Sequence, residues 1–311
     1  MTTGRLLLTD TASLYFRAFY GVPTTVTSPE GTPVNAVHGF LDMLARLVAD
    51  RRPDRLVCCL DADWRPAFRV AALPGYKAHR LAAAAGGAAG DVEDVPPDLV
   101  VQVPVLLEML DALGVATLGV PGFEADDVIG TLAARDPGPV DVVTGDRDLF
   151  AVVDDSRAVR VLYVARGVAR REEVDAAAVR RRYGVEPAQY VDLAILRGDP
   201  SDGLPGAPGI GEKTAAGLLG RFGSLTGALA AVAAGQDVPR GAVLAEHRDY
   251  LQAALAVVPV RTDVPVPADL DPTCPVAPAD PDRLLALAGH WGLAGPAHRL
   301  VTALAAQSGV E

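Results

Sequence analysis

The chain has 311 residues, half of them hydrophobic, with 28 basic against 39 acidic side chains and a net charge of -11. That length and apolar content suit a folded core with a smaller partner region and exclude a disordered chain. No apolar run is long enough to cross a bilayer, no signal-peptide pattern opens the sequence, and Cys58, Cys59 and Cys274 form no disulfide framework, so a cytoplasmic protein is expected.

The chain begins with Arg5-Leu6-Leu7-Leu8-Thr9, an apolar run that reads as a buried strand delivering Asp10 at its C-terminal end. In open parallel sheets, sites form at that end. A helix-like segment around Leu14 to Phe19 follows, then a turn at Pro29-Glu30-Gly31. Val34, Val37, Leu41, Leu44 and Val48 then recur at steps of three and four, which predicts an amphipathic helix up to Asp50. Leu56-Val57-Cys58-Cys59-Leu60 repeats the first pattern and stops on Asp61. Either aspartate alone reads as a turn former; two strands ending alike point to a site.

Between 62 and 80, Arg65, Arg69, Lys77 and Arg80 alternate with Trp64, Phe68 and Tyr76. Such a mixture suits phosphates and bases, or a solvated helix face with aromatics turned inward. Leu81 to Gly90 is almost entirely Ala and Gly and is expected to form a mobile loop or weak helix. Leu106, Leu107, Leu110 and Leu113 predict a helix closed by Gly114, and Val115 to Val120 a short strand.

Gly122-Phe123-Glu124-Ala125-Asp126-Asp127-Val128 then opens another helix, where carboxylates also suit the helix dipole. Val140 to Thr144 is a third apolar run meeting carboxylates, Asp146 and Asp148, and Val159 to Val164 a further strand. Acidic groups beside core residues must be paired, protonated or bound to a cation.

Beyond about residue 170 the pattern turns to Ala-rich helices and Gly/Pro turns. Asp199 and Asp202 lie in Gly198-Asp199-Pro200-Ser201-Asp202-Gly203-Leu204-Pro205. Gly206-Ala207-Pro208-Gly209-Ile210-Gly211-Glu212-Lys213-Thr214 resembles a P-loop, but Glu212 separates Lys213 from the last glycine and no strand precedes it. The better reading is a Gly-rich hairpin between helices whose amides face a phosphate. His38, His79, His247, His290 and His298 show no metal-ligand spacing.

Taken in order, these motifs resemble the bacterial 5′ nucleases, the flap endonuclease and 5′-to-3′ exonuclease family that includes the N-terminal domain of DNA polymerase I. The likeness runs from about residue 5 to about residue 300. It implies an α/β fold: a central, mostly parallel, PIN-like sheet flanked by helices over 1–180, with a helical-arch segment at about 65–103. A helical DNA-binding region follows over 181–311, with a helix-three-turn-helix at about 199–222.

The resemblance places Asp10, Asp61, Glu124, Asp126 and Asp127 around a first metal and Asp146, Asp148, Asp199 and Asp202 around a second. It places Arg69, Lys77 and Arg80 at the scissile phosphate, and assigns DNA binding to Arg17, Gly206, Gly209, Ile210, Gly211, Lys213 and Thr214. Two Mg²⁺ ions, or Mn²⁺, are the implied cofactors, with K⁺ at the helix-three-turn-helix. With nine carboxylates assigned to metal, 30 acidic residues remain against 28 basic, so the net charge does not exclude a nucleic-acid substrate.

The chain departs from the family pattern in two places. Gly203 stands where polymerase-linked members often have Asn, and the Ala/Gly run replaces a shorter, Pro-containing arch segment. The expected activity is cleavage at 5′ ends, nicks and flaps of duplex DNA in replication and repair, by a stand-alone, nucleoid-associated monomer without a linked polymerase domain. The alternatives are a non-catalytic branched-DNA-binding protein and a metal-dependent ribonuclease of related architecture.

Overall fold

A computed structural model describes residues 4–81 and 93–309. Of the Ala/Gly stretch Leu81 to Gly90 expected as a loop or weak helix, residues 82–90 lie outside the described residues. Six strands form one sheet: β1 (Leu6–Asp10), β2 (Arg55–Cys59), β3 (Ala116–Leu118), β4 (Val140–Thr144), β5 (Val159–Tyr163) and β6 (Glu172–Val174). Their order is β3-β2-β1-β4-β5-β6, parallel throughout except that β6 runs antiparallel to β5. The first five are the apolar runs read from the sequence. The short, acidic β6 carries no comparable apolar run.

The parallel strands are apolar at nearly every position because both faces of the sheet are covered. Leu6, Leu8, Val57, Cys59, Val140 and Val142 face one layer, packed with Val128 and Ile129 of helix Ala125–Arg135. Leu7, Leu56, Cys58 and Val143 face the other, packed with Phe40, Leu41 and Leu44 of helix Asn35–Arg51 and Leu106 and Leu110 of helix Gln102–Leu113. The alternation follows from the two-residue period of a strand.

Helices Tyr190–Arg197, Glu212–Phe222, Leu225–Ala233 and Arg248–Val257 extend the first core layer. The remainder of the expected 181–311 region is divided from them. After a Pro-rich passage over 258–281, helices Pro281–His290 and Ala294–Ala305 return to the opposite layer, with Leu284, Leu300 and Leu304 buried in one cluster with Phe40 and Leu47. No single helix among the described residues is long and apolar enough to cross a membrane.

A carboxylate-lined candidate active site

The site lies at the C-terminal ends of β1, β2 and β4, where the direction of strand succession reverses between the neighbours β1 and β4. Asp10 closes β1 and caps helix Thr11–Gly21, accepting the Ser13 amide at 3.0 Å and the Thr144 hydroxyl at 2.8 Å. Asp61, just past β2, accepts the Ala125 amide at 2.8 Å. It thereby helps cap the helix whose N-cap is Glu124 and whose first turn carries Asp126. Past β4, the Asp146 amide donates to Thr144 Oγ1 at 2.9 Å and its carboxylate accepts the Asp148 amide at 3.0 Å.

A cleft of about 390 Å³ gathers Asp10, Asp61, Glu124, Asp126, Asp146 and Asp199, with Lys77 and Arg80 on its wall. Asp148 and Asp202 are buried and do not line it. One oxygen of Asp148, Oδ1, is buried without a hydrogen-bond partner.

Two of the expected site residues are placed elsewhere. Arg69 is 2% exposed and Asp127 fully buried. They form a two-pronged ion pair, Nη1 to Oδ2 and Nη2 to Oδ1 both at 2.7 Å. Arg69 also pairs with Glu124 and donates from Nε to the Val257 carbonyl at 2.8 Å, while Asp127 accepts the Arg261 amide at 2.9 Å. A guanidinium so occupied has no fork to offer a phosphate, and a carboxylate so occupied has little to offer a metal. Arg69 and Asp127, expected from the sequence at the phosphate and at the first metal, thus face each other and do not line the cleft.

Lys77 and Arg80 do reach the cleft. Lys77 adopts left-handed backbone angles (φ 49°), its amide donates to the Asp202 carbonyl at 3.0 Å, and its amine pairs with Glu124. Arg65, buried, holds the preceding turn by donating to the carbonyls of Tyr76 and Pro74, each at 2.6 Å. Gly203 lets this turn dock: at φ 72°, a Cβ there would stand 2.6 Å from the Gly75 carbonyl oxygen. Arg80 Nη2 donates to the Ser201 carbonyl at 2.8 Å and lies 3.7 Å from Asp202.

The electrostatics reflect crowding of like charge. Burial, followed by the Asp61 carboxylate, pushes Asp10 up to about 7. Burial and then Asp10 and Asp146 raise Asp126 well above the usual carboxylate range, and burial and then Asp146 do the same for Asp148. Burial disfavours the Lys77 ammonium, but Glu124, Tyr76 and Asp202 outweigh it and raise its pKa.

Among the described residues, no three acidic, imidazole or thiol side chains converge on one point as they stand; the carboxylates bond to amides, hydroxyls and cations instead. The donor set nevertheless fits hard divalent cations. It is carboxylate oxygen without a histidine or cysteine in the cleft, it is under strong mutual repulsion, and it includes the orphaned Asp148 oxygen.

The hairpin after Asp202 leads into helix Glu212–Phe222, whose N-cap is Gly211. Gly209, Gly211 and Lys213 are exposed there and Thr214 is half-buried. Two of the residues expected to bind DNA are turned inward. The Gly206 amide donates to Tyr250 Oη at 3.1 Å, and Ile210 is 3% exposed with its amide on the Ala207 carbonyl. Gly206 serves a close crossing instead, since a Cβ would stand 2.5 Å from the Arg197 carbonyl oxygen.

Arg17 lines an adjoining cavity of about 740 Å³ with Phe16 and Tyr20, and donates to the Ala165 carbonyl at 2.8 Å. The cleft also contains Ser13, Trp64, Glu93 and Tyr163, which the sequence reading did not single out as site residues. Ser13 was legible as the residue three positions past a helix-capping aspartate. Glu93 follows the Ala/Gly run and carries no comparable signal.

Comparison with known proteins agrees with this architecture. The profile of the 5′-3′ exonuclease N-terminal, resolvase-like domain matches residues 5–184, and that of the 5′-3′ exonuclease C-terminal SAM fold matches residues 185–282. The chain is 56% identical over 307 residues to a 5′-3′ exonuclease of Streptomyces coelicolor, covering 96% of this chain and 100% of that protein. It is 50% identical over 311 residues to a 5′-3′ exonuclease of Mycobacterium tuberculosis, covering 96% and 97%. Its fold is similar to that of the bacteriophage T5 flap endonuclease in complex with DNA and metal ions, with TM-score 0.60, 15% identity, and 98% and 99% of the two chains covered. The chain belongs to the 5′-3′ exonuclease family.

Proposed function

We propose that this family member is a divalent-metal-dependent 5′ nuclease that hydrolyses phosphodiester bonds at 5′ ends, nicks and flaps of duplex DNA, acting as a monomer. The observation that carries the reading is the convergence of Asp10, Asp61 and Asp146 from three strand ends into one cleft that also holds Lys77 and Arg80. The T5 relative's complex with DNA and metal ions supports it.

Asp10, Asp61, Glu124 and Asp126 would hold one cation and Asp146, Asp148, Asp199 and Asp202 a second, Mg²⁺ or Mn²⁺ by their all-oxygen chemistry. When bound, such a pair activates water and neutralises charge on the attacking and leaving oxygens. The chain's own groups do the remaining work. Lys77 and Arg80 orient the phosphate and place positive charge where the transition state gains negative charge. The exposed Gly209 and Gly211 backbone and Lys213 grip the duplex away from the cut, with K⁺ the monovalent ion assigned to this hairpin.

The test is cleavage of 5′-labelled flap, nicked and blunt duplexes with Mg²⁺ and with chelator. Cleavage with Mg²⁺ that chelator or Asp146→Ala abolishes is expected. Intact substrates under every condition would refute the reading, and equal cleavage of matched RNA would redirect it to a ribonuclease.

A further inference from the structure

The buried cluster beneath the cleft carries an inference of its own. Glu124 is gripped on two sides: Oε2 by Arg69 and by the Tyr76 hydroxyl at 2.9 Å, Oε1 by Lys77. Arg69 simultaneously holds both oxygens of Asp127, which closes the capping box by accepting the Glu124 amide at 3.3 Å. The same two residues fasten the segment from Val257 to Val264 to helix Ala125–Arg135, through the Val257 carbonyl and the Arg261 amide.

Farther along, that segment is fixed by Thr131, which donates to the Arg261 carbonyl and accepts the Val264 amide, each at 3.2 Å, and by Arg135 on the Val264 carbonyl at 3.1 Å. The contact is backbone-close, since a Cβ at Gly130 would stand 2.8 Å from the Arg261 carbonyl oxygen.

From this geometry we infer that Arg69 is a positioning residue. Its pairing with Asp127 locks the start of helix Ala125–Arg135 to the segment Val257–Val264 and anchors Glu124 Oε2, so that Oε1 is the oxygen free to exchange Lys77 for a cation. Arg69 does not line the cleft. Its guanidinium is spent on two carboxylates and a carbonyl, which a lysine's single ammonium cannot reproduce. Residues behind a metal ligand typically change metal affinity or activity by about 10–100-fold when removed.

The inference rests on the nuclease reading for its kinetic arm but has a second arm that does not. Mn²⁺ binding is measured by calorimetry, and kcat and KM on a 5′-flap duplex, for wild type, Arg69→Ala, Arg69→Lys and Asp127→Asn. Asp127→Asn, nearly isosteric, serves if Arg69→Ala fails to fold. Mn²⁺ affinity about tenfold weaker and kcat lower with KM within about twofold, in both Arg69→Ala and Asp127→Asn, are expected, with Arg69→Lys between wild type and Arg69→Ala. Unchanged Mn²⁺ affinity in Arg69→Ala and Asp127→Asn, or a raised KM with kcat intact, would overturn the assignment. Wild type that binds Mn²⁺ but cuts no DNA would instead sink the nuclease reading and leave the binding comparison as the test of Arg69.

Discussion

Asp61 and Ala125, 64 positions apart, meet at 2.8 Å, where the carboxylate at the end of one strand caps the helix that presents Glu124 and Asp126. Asp61 therefore has a structural and a chemical task, separable by substitution. Asp61→Asn keeps an acceptor for the Ala125 amide, so unfolding by urea in chelator should be nearly unchanged while cleavage is lost. Asp61→Ala should lose cleavage and, in addition, about 1 kcal/mol of stability. Equal stability of the two variants would remove the capping role.

The carboxylate crowding makes a pH prediction for metal-free protein. Asp10 is raised from its ordinary 3.8 to about 7 by burial and Asp61. The folded state thus holds this proton more tightly than the unfolded one. The stability it contributes is present at acid pH and is lost as pH rises from about 4 to about 7. Melted in chelator across that range, Asp10→Asn should gain stability relative to wild type toward neutral pH; a constant difference would contradict the shift.

Divalent metal should act in the opposite direction. Millimolar Mg²⁺ should raise the melting temperature of wild type at neutral pH, because binding only the folded state stabilises it by mass action. Asp146→Ala should reduce that rise. The absence of any rise would leave the carboxylates of the cleft unexplained.

Gly203 is expected to tolerate no side chain well. Alanine there would adopt left-handed angles at a cost on the order of 1–2 kcal/mol and would push its Cβ against the Gly75 carbonyl, in the turn that carries Lys77. Gly203→Ala should therefore lower kcat more than it raises KM, and a wild-type kcat would show that the docking of this turn does not set Lys77. The strain of a side chain at position 203 falls on the turn that carries the lysine.

Lys77 and Lys213 should fail differently. Lys77→Ala should reduce kcat far more than affinity, since its charge matters most in the transition state. Lys213→Ala should weaken duplex binding and reduce the salt slope by about 1, measured by anisotropy over a salt series. An unchanged slope would exclude a phosphate contact at Lys213.

Much of this architecture is determined by the sequence alone. Apolar runs bounded by Asp10, Asp61 and Asp146 specify strands buried on both faces, and carboxylates at their ends mark the edge where a site forms, because both signals are local in the chain. Only the tertiary structure decided which carboxylates and cations face the cleft and which turn to one another. Asp126 and Asp127 are adjacent on a helix and therefore point in different directions, one into the cleft and the other onto Arg69. Arg69 and Lys77 read alike as basic residues, yet the Val257 carbonyl, 188 positions from Arg69 in the chain, and the Asp127 carboxylate enclose one of them and leave the other at the cleft. Gly206 and Ile210 likewise read as part of an exposed hairpin until Tyr250 and the core claim them. Each reassignment turns on a long-range partner, and spacing along one chain holds no information about partners that folding brings from elsewhere.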